Sequence, residues 1–214
     1  MFRRNLLAAA AGLTVSLFVS AGFMAPAVAS ERVTASTALI GEMITDLETF
    51  LATDTGETDA REAEISRVLD TYFDMASITR FSAGQYWRAA TPEERTQYGA
   101  LFTDVLIGTI VRNFDQLEGL AYTAGKATEK GNKFVIVSGT FTDTTGDRPP
   151  VAVNWRVLAP AGEQAKVFDI EIENLSLLVT QKQENVAVIR KNKGKFAALI
   201  KVMEERAANR GNNS

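Results

Sequence analysis

The 214-residue chain contains no histidine and no cysteine. These absences exclude a Ser-His-Asp triad, a cysteine nucleophile, a disulfide framework and a zinc site with histidine or cysteine ligands. The chain also lacks a P-loop, a GxGxxG fingerprint and a GxSxG motif. Hydrophobic residues make up 46% of the chain and charged residues 23%, which is typical of a globular protein. The composition therefore favours a folded protein with few catalytic groups.

The N-terminal segment has the three parts of a secretory signal peptide. Arg3 and Arg4 precede an apolar run over 6–24, and the small-x-small motif Ala27-Val28-Ala29 follows it. An uncleaved membrane anchor is the alternative, because the apolar run is nearly long enough to span a bilayer. We predict a signal peptide over 1–29, a single domain over 30–209, a disordered tail over 210–214 and a periplasmic location.

Loss of the predicted signal peptide makes the chain more acidic. Residues 30–214 hold 21 basic and 26 acidic residues, a net charge of −5. Non-specific binding to nucleic acid needs a basic surface, so we expect no nucleic-acid partner.

Apolar residues recur at helical spacing before and after the middle of the chain. This spacing predicts helices over 33–51, 60–73, 75–81, 92–116, 176–191 and 196–205. The fourth helix has a clear start, because Thr91 and Glu94 can form a capping box around Pro92 at the first helical position.

The period changes to two after Gly119. Alternation predicts strands over 121–128, 133–142, 151–158 and 166–172, joined by short turns. Short connections favour an antiparallel meander, and the order of helices, strands and helices predicts an α+β fold. In the last strand, Phe168, Ile170 and Ile172 are predicted to share one face, opposite Val167, Asp169 and Glu171.

The carboxylates of Asp169, Glu171 and Glu173 alternate along this strand. Paired carboxylates can perform acid–base chemistry. A solvated outer face is the alternative that we favour.

Apolar side chains are abundant on the long fourth helix and on both faces of the predicted strands. Tyr86 and Trp87 add two large aromatic rings just before that helix. A filled core and a concave apolar binding site give the same periodicity, so both interpretations stay open at this level.

A series of motifs resembles the MlaC family (also called the toluene-tolerance family) of periplasmic lipid-binding proteins. The motifs are Tyr72-Phe73-Asp74, Gly84, Trp87-Arg88, the run 90–95 (ATPEER), the strand 166–170 (KVFDI), the run 174–178 (NLSLL) and the run 194–199 (GKFAAL). The chain departs from the family pattern at Ala83, Asn174 and the run 183–185 (QEN).

The resemblance implies an NTF2-like α+β fold, with an antiparallel meander sheet packed against several helices and an apolar lipid cavity between them. It implies a carrier of phospholipid acyl chains that is not an enzyme and has no cofactor or metal. The implied partners are an inner-membrane ABC lipid transporter complex and an outer-membrane lipoprotein–porin complex, and the implied role is outer-membrane lipid asymmetry. Trp87 is expected to pack between the Gly84 turn and the long helix. The residues expected at the lipid are Phe73, Tyr86, Phe102, Leu106, Ile110, Phe114, Val137, Val153, Trp155, Val157 and Ile170.

Three alternatives remain at the sequence level: a hopanoid-associated carrier, a non-catalytic interaction module with a filled core, and an enzyme that uses a buried Asp or Glu. The sequence leaves the direction of transport, the head-group preference, the inward sheet face and the oligomeric state open.

Overall fold

The computed structural model describes residues 30–209. The predicted signal peptide over 1–29 and the predicted tail over 210–214 lie outside the described residues. The helices are α1 (Glu31–Leu51), α2 (Thr58–Tyr72), α3 (Met75–Ser82), α4 (Pro92–Arg112), α5 (Leu177–Lys191) and α6 (Ala197–Ala208), with 3₁₀ turns at Gly84–Arg88 and Phe114–Leu117. The strands are β1 (Leu120–Lys130), β2 (Phe134–Asp143), β3 (Val151–Leu158), β4 (Lys166–Ile172) and β5 (Leu175–Ser176).

The five strands form one open antiparallel sheet in the order β1-β2-β3-β4-β5. This arrangement confirms the predicted α+β fold with a meander sheet. The two-residue strand β5 was not predicted, because two residues are too few to show an alternating pattern.

The start of α4 confirms the predicted capping box. The Glu94 amide donates to Thr91 Oγ1 at 3.2 Å, and the Thr91 amide donates to Glu94 Oε2 at 2.9 Å. The α-helix ends at Arg112 rather than near residue 116, because the chain continues as the 3₁₀ turn Phe114–Leu117. This turn leads directly into β1.

A β-bulge interrupts the alternation predicted for β4. Val167 pairs with Val157 but Asp169 pairs with Arg156, so Phe168 is an extra residue in the ladder. The prediction that Phe168 shares a face with Ile170 is therefore wrong. Val167 joins the face of Val157, whereas Phe168 packs against Phe81 of α3.

The predicted solvated face of β4 is also wrong at Asp169. This residue is only 3% exposed. Its carboxylate accepts hydrogen bonds from the Ser176 hydroxyl at 2.6 Å and from the Leu178 amide at 3.1 Å. Through these two bonds Asp169 connects β4 to the first turn of α5. The position is favourable because a carboxylate is stabilised at a helix N-terminus.

The apolar core has three parts. The first lies between the sheet and helices α1 and α2, and includes Met43, Val137 and Trp155. The second joins α3, α4, α5 and α6 around Tyr98. The third lies between α2 and the C-terminal part of α4, around Phe114.

A buried hydrogen-bond network joins helices α3, α4 and α5 in the second part of the core. Ser82 Oγ and Tyr98 Oη are 2.6 Å apart, and Asn185 Nδ2 donates to Tyr98 Oη at 2.9 Å. Asn185 Oδ1 accepts from Gln181 Nε2 at 2.9 Å. Burial raises the pKa of Tyr98, so its hydroxyl keeps its proton and can act as a donor. Every buried polar group of this network therefore has a partner.

Candidate functional site

An aromatic group lies on the sheet face that α1 covers. Tyr122, Phe141 and Trp155 come from three adjacent strands, and their ring centroids are 5.2 to 6.4 Å apart. The Trp155 indole N–H donates to Tyr122 Oη at 3.2 Å, which satisfies the polar atom of the indole. Burial raises the pKa of the Tyr122 hydroxyl, which favours its neutral form. The group is thus an apolar surface with its polar atoms paired.

Gly139 makes this arrangement of rings possible. It lies on β2 between the strands of Tyr122 and Trp155. A Cβ atom at this position would lie 2.3 Å from the Tyr122 ring. The missing side chain therefore lets the Tyr122 ring lie across β2 and reach Trp155.

The C-terminal half of α4 presents apolar side chains that are only partly covered. Leu106, Ile107, Ile110 and Val111 are all half-buried and pack at the margin of the third part of the core. The fully buried apolar side chains of this helix, Tyr98 and Phe102, lie in its N-terminal half. The helix is therefore anchored at one end and leaves apolar surface open at the other.

Phe73 lies at the junction of these surfaces. Its half-buried ring packs against all three parts of the core. Its backbone forms a bridge with Val167 of β4, and the following Asp74 caps α3 by accepting a hydrogen bond from the Ser77 amide at 3.0 Å. These backbone contacts place the ring between the sheet and the helices.

The apolar face of the sheet continues to an exposed edge. Ile170 lies opposite Trp155, Ile172 lies opposite Val153, and Leu175 lies opposite Ile172. Exposure reaches 39% at Ile172, 60% at Leu175 and 43% at Leu177. We call these three residues the apolar rim. Such a contiguous exposed group commonly marks a binding surface.

The eleven predicted lipid residues fall in different parts of this arrangement. The predicted residues on the sheet share the face toward α1; they are Val137, Val153, Trp155, Val157 and Ile170. Leu106, Ile110 and Phe114 lie in the third part of the core.

Phe102 and Tyr86 are in the second part of the core, among the helices. Tyr86 also lies beside Gly194, in the connection between α5 and α6. Trp87 packs edge-on against Tyr98 at 6.5 Å, which confirms the predicted contact of Trp87 with the long helix α4. Phe73 thus touches both the part of the core that holds the sheet residues and the part that holds Leu106, Ile110 and Phe114, whereas Phe102 and Tyr86 lie among the helices.

Sequence reasoning missed Tyr122, Phe141, Ile172 and Leu175 as members of this apolar surface. Tyr122 lies on a strand whose other residues are mostly exposed, so its alternation is weak. Phe141 lies directly opposite Tyr122, and this cross-strand pairing is the signal that would have added both rings.

Among residues 30–209, no cluster of three or more metal-binding side chains occurs, and no helix is long and apolar enough to cross a membrane.

The family model described as MlaC protein matches residues 37–205 of this chain. A solved structure, that of a phospholipid-binding protein from Ralstonia solanacearum in complex with a phospholipid, is similar to the chain with a TM-score of 0.67 and 26% sequence identity. The match covers 82% of this chain and 98% of that one. The chain belongs to the MlaC family.

Proposed function

We propose that this MlaC-family protein is a periplasmic carrier that holds phospholipid acyl chains between its sheet and helix α4. The observation that carries the proposal is the position of Phe73, whose ring packs both against the part of the core that holds the sheet face around Trp155 and against the part that the half-buried row from Leu106 to Val111 borders. We call this region the acyl site. The phospholipid bound to the similar Ralstonia protein supports the same ligand class.

The energetics of the acyl site match a lipid tail. Burial of each CH₂ group contributes about 0.8 kcal/mol, so a long acyl chain needs apolar surface and few polar contacts. Trp155 fits this environment because its indole N–H donates to the Tyr122 hydroxyl oxygen.

The apolar rim is the proposed route into the acyl site. Ile170, Ile172 and Leu175 continue the sheet face outward, with exposure rising toward the end. Acyl chains would enter along this row, and the head group would stay outside in water.

A binding protein fits these residues better than an enzyme does. Asp169 is a buried carboxylate of the kind that the enzyme hypothesis would need, but its oxygens accept hydrogen bonds from the Ser176 hydroxyl and the Leu178 amide. Arg156 lies 3.5 Å from the same carboxylate. Asp169 thus has a structural role on the opposite sheet face from Trp155.

The wider role follows from the family resemblance. We propose an inner-membrane ABC lipid transporter complex and an outer-membrane lipoprotein–porin complex as partners, and lipid exchange between them as the means of keeping outer-membrane asymmetry. The observation favouring exchange over storage is the exposed rim, since it leaves apolar surface for a partner to contact.

Native mass spectrometry tests the proposal most directly. The 214-residue chain is expressed with its own N-terminus in a bacterial host and purified from the periplasmic fraction. Its mass reports both removal of residues 1–29 and any retained lipid. A mass excess that fragments to a phospholipid is expected. A bare protein mass from hosts with and without hopanoids would contradict the carrier, whereas an excess only from the hopanoid-producing host would replace phospholipid by hopanoid.

A further inference from the structure

A surface cavity of about 500 Å³ lies between α3, the 3₁₀ turn Gly84–Arg88 and α5. Three cationic side chains line it, those of Arg80, Arg88 and Lys182. Three aromatic rings, those of Phe81, Trp87 and Phe168, form the apolar part of its wall. We call it the cationic pocket. No carboxylate belongs to its described lining, although acidic residues outnumber basic ones in the chain.

The cationic pocket and the acyl site lie on opposite sides of the sheet. The ring of Phe168, the extra residue of the β4 bulge, packs against the rings of Phe81 and Phe134, with a centroid distance of 5.6 Å in each case. Phe134 points away from the face of Val135 and Val137, because side chains alternate along β2. A ligand in the cationic pocket would therefore leave the acyl site free.

Local packing holds the pocket open and directs its charges. Gly84 has a φ of 60°, and a Cβ there would lie 2.7 Å from Val186 Cγ2. The absence of this side chain lets the turn lie against α5, which brings Lys182 beside Phe81. The Lys182 ammonium lies 4.6 Å from the centre of the Phe81 ring, a cation–π distance that orients it.

Arg95 of α4 holds the wall of the cationic pocket that Trp87 and Arg88 form. Its guanidinium donates to the carbonyl oxygens of Trp87 at 3.0 Å and Arg88 at 3.1 Å, and lies 5.5 Å from the centre of the Trp87 ring. Arg80 and Arg88 themselves form no ion pair or side-chain hydrogen bond with any residue of 30–209. Two guanidinium groups thus remain available in a concave site whose backbone is held in place.

We propose that the cationic pocket binds a phosphate group. Guanidinium groups donate paired hydrogen bonds that match phosphate oxygens, and the ammonium of Lys182 adds a third charge. The aromatic wall would contact the carbon body of a phosphate ester. The phosphate belongs either to the head group of an anionic phospholipid or to a soluble phosphate ester, and both present the same charge and oxygens.

Two-dimensional NMR tests this site separately from the acyl site. The chain has two tryptophans, so Trp87 reports on the cationic pocket and Trp155 on the acyl site through their indole N–H signals. The purified protein is titrated with inorganic phosphate, glycerol phosphate and dihexanoyl phosphatidylglycerol below its micelle concentration. We expect a saturable shift of the Trp87 signal with at least one of these probes.

A triple variant and a charge-matched control decide the assignment. Arg80→Gln, Arg88→Gln and Lys182→Gln together are expected to weaken binding by about tenfold or more, because the charged donors are lost. Lys126→Gln, Lys130→Gln and Lys133→Gln remove the same charge from exposed positions of the β1–β2 hairpin, and we expect less than about a twofold change there.

The choice of probes also distinguishes a soluble phosphate from a lipid head group, and the cationic pocket from the acyl site. Binding of inorganic phosphate or glycerol phosphate with the affinity of the short-chain lipid identifies a soluble phosphate, and binding of the lipid alone identifies a head group. No saturable Trp87 shift with any probe, or equal affinities in the two triple variants, overturns the proposal. Shifts of Trp155 alone would support the acyl site and still overturn this one.

Discussion

The indole Nε1 of Trp155 on β3 donates to the hydroxyl of Tyr122 on β1 at 3.2 Å, across the intervening strand. The two rings are 6.3 Å apart and nearly perpendicular. Such edge-to-face pairs contribute roughly 0.5–1.5 kcal/mol beyond their buried area. The contact exists because β2 carries glycine at position 139, directly beneath the Tyr122 ring.

Gly139→Ala is expected to break this contact. The new Cβ would overlap the Tyr122 ring, so the ring must leave the sheet and move toward the acyl site. We expect a loss of about 1–3 kcal/mol in the free energy of unfolding and a lower lipid content. Urea denaturation and native mass spectrometry measure the two effects. Gly41→Ala on α1 is the matched control, since its Cβ would meet nothing within 4 Å. Equal stability of both variants would contradict the argument.

Ile110→Asp is expected to remove bound lipid from a folded protein. Ile110 is half-buried in the open half of α4, and an unpaired carboxylate among acyl chains costs several kcal/mol. Since about 1.4 kcal/mol is a factor of ten, lipid occupancy should fall about tenfold or more. The control is Thr109→Asp on the exposed side of the same helix. Unchanged lipid content in folded Ile110→Asp would exclude this part of α4 from the acyl site.

Phe102→Asp should behave differently from Ile110→Asp. Phe102 is 6% exposed and packs 5.7 Å from Tyr98 in the second part of the core. The buried charge should therefore lower the melting temperature sharply, with loss of lipid as a consequence of unfolding. Circular dichroism melting of both variants makes the comparison. A native-like melting temperature for Phe102→Asp would show that its side chain faces a cavity.

Tyr98→Phe is expected to destabilise the protein by about 1–3 kcal/mol, because Ser82 and Asn185 lose a buried hydrogen-bond partner. Denaturant unfolding gives the value. Tyr86→Phe serves as the reference, since Tyr86 is half-buried and its hydroxyl is outside this network. A cost for Tyr98→Phe no greater than that for Tyr86→Phe would mean that the network contributes little.

The stabilisation from Asp143 should disappear in acid. Arg148 Nε lies 3.1 Å from its carboxylate, and this hydrogen bond lowers the pKa of Asp143 well below the ordinary 3.8. A lowered pKa in the folded state means that the contribution is complete above about pH 4 and decreases as the pH falls toward the folded-state pKa. The difference in melting temperature between the wild type and Asp143→Asn should therefore be largest near pH 6 and shrink below pH 4. A constant difference from pH 6 to pH 2 would refute this.

The local sequence alone was enough for most elements of the fold. The capping box at Thr91 and Glu94 needs only residues three apart, and the alternation of Val135 and Val137 needs only one strand. These signals arise from contacts between near neighbours in the chain, so they can be recognised without the fold. The motifs around Trp87 can also be recognised without the fold. The family match over 37–205 confirms the resemblance that they indicated.

The tertiary structure decided what depends on contacts between distant residues. The bulge at Phe168 comes from pairing with β3, and it sends this ring to α3 rather than to the face of Ile170. Burial of Asp169 depends on the approach of α5, which no spacing within β4 reveals. The separation of Phe102 from Ile110 likewise has a physical cause: a helix packs against different neighbours along its length, while its apolar period stays the same.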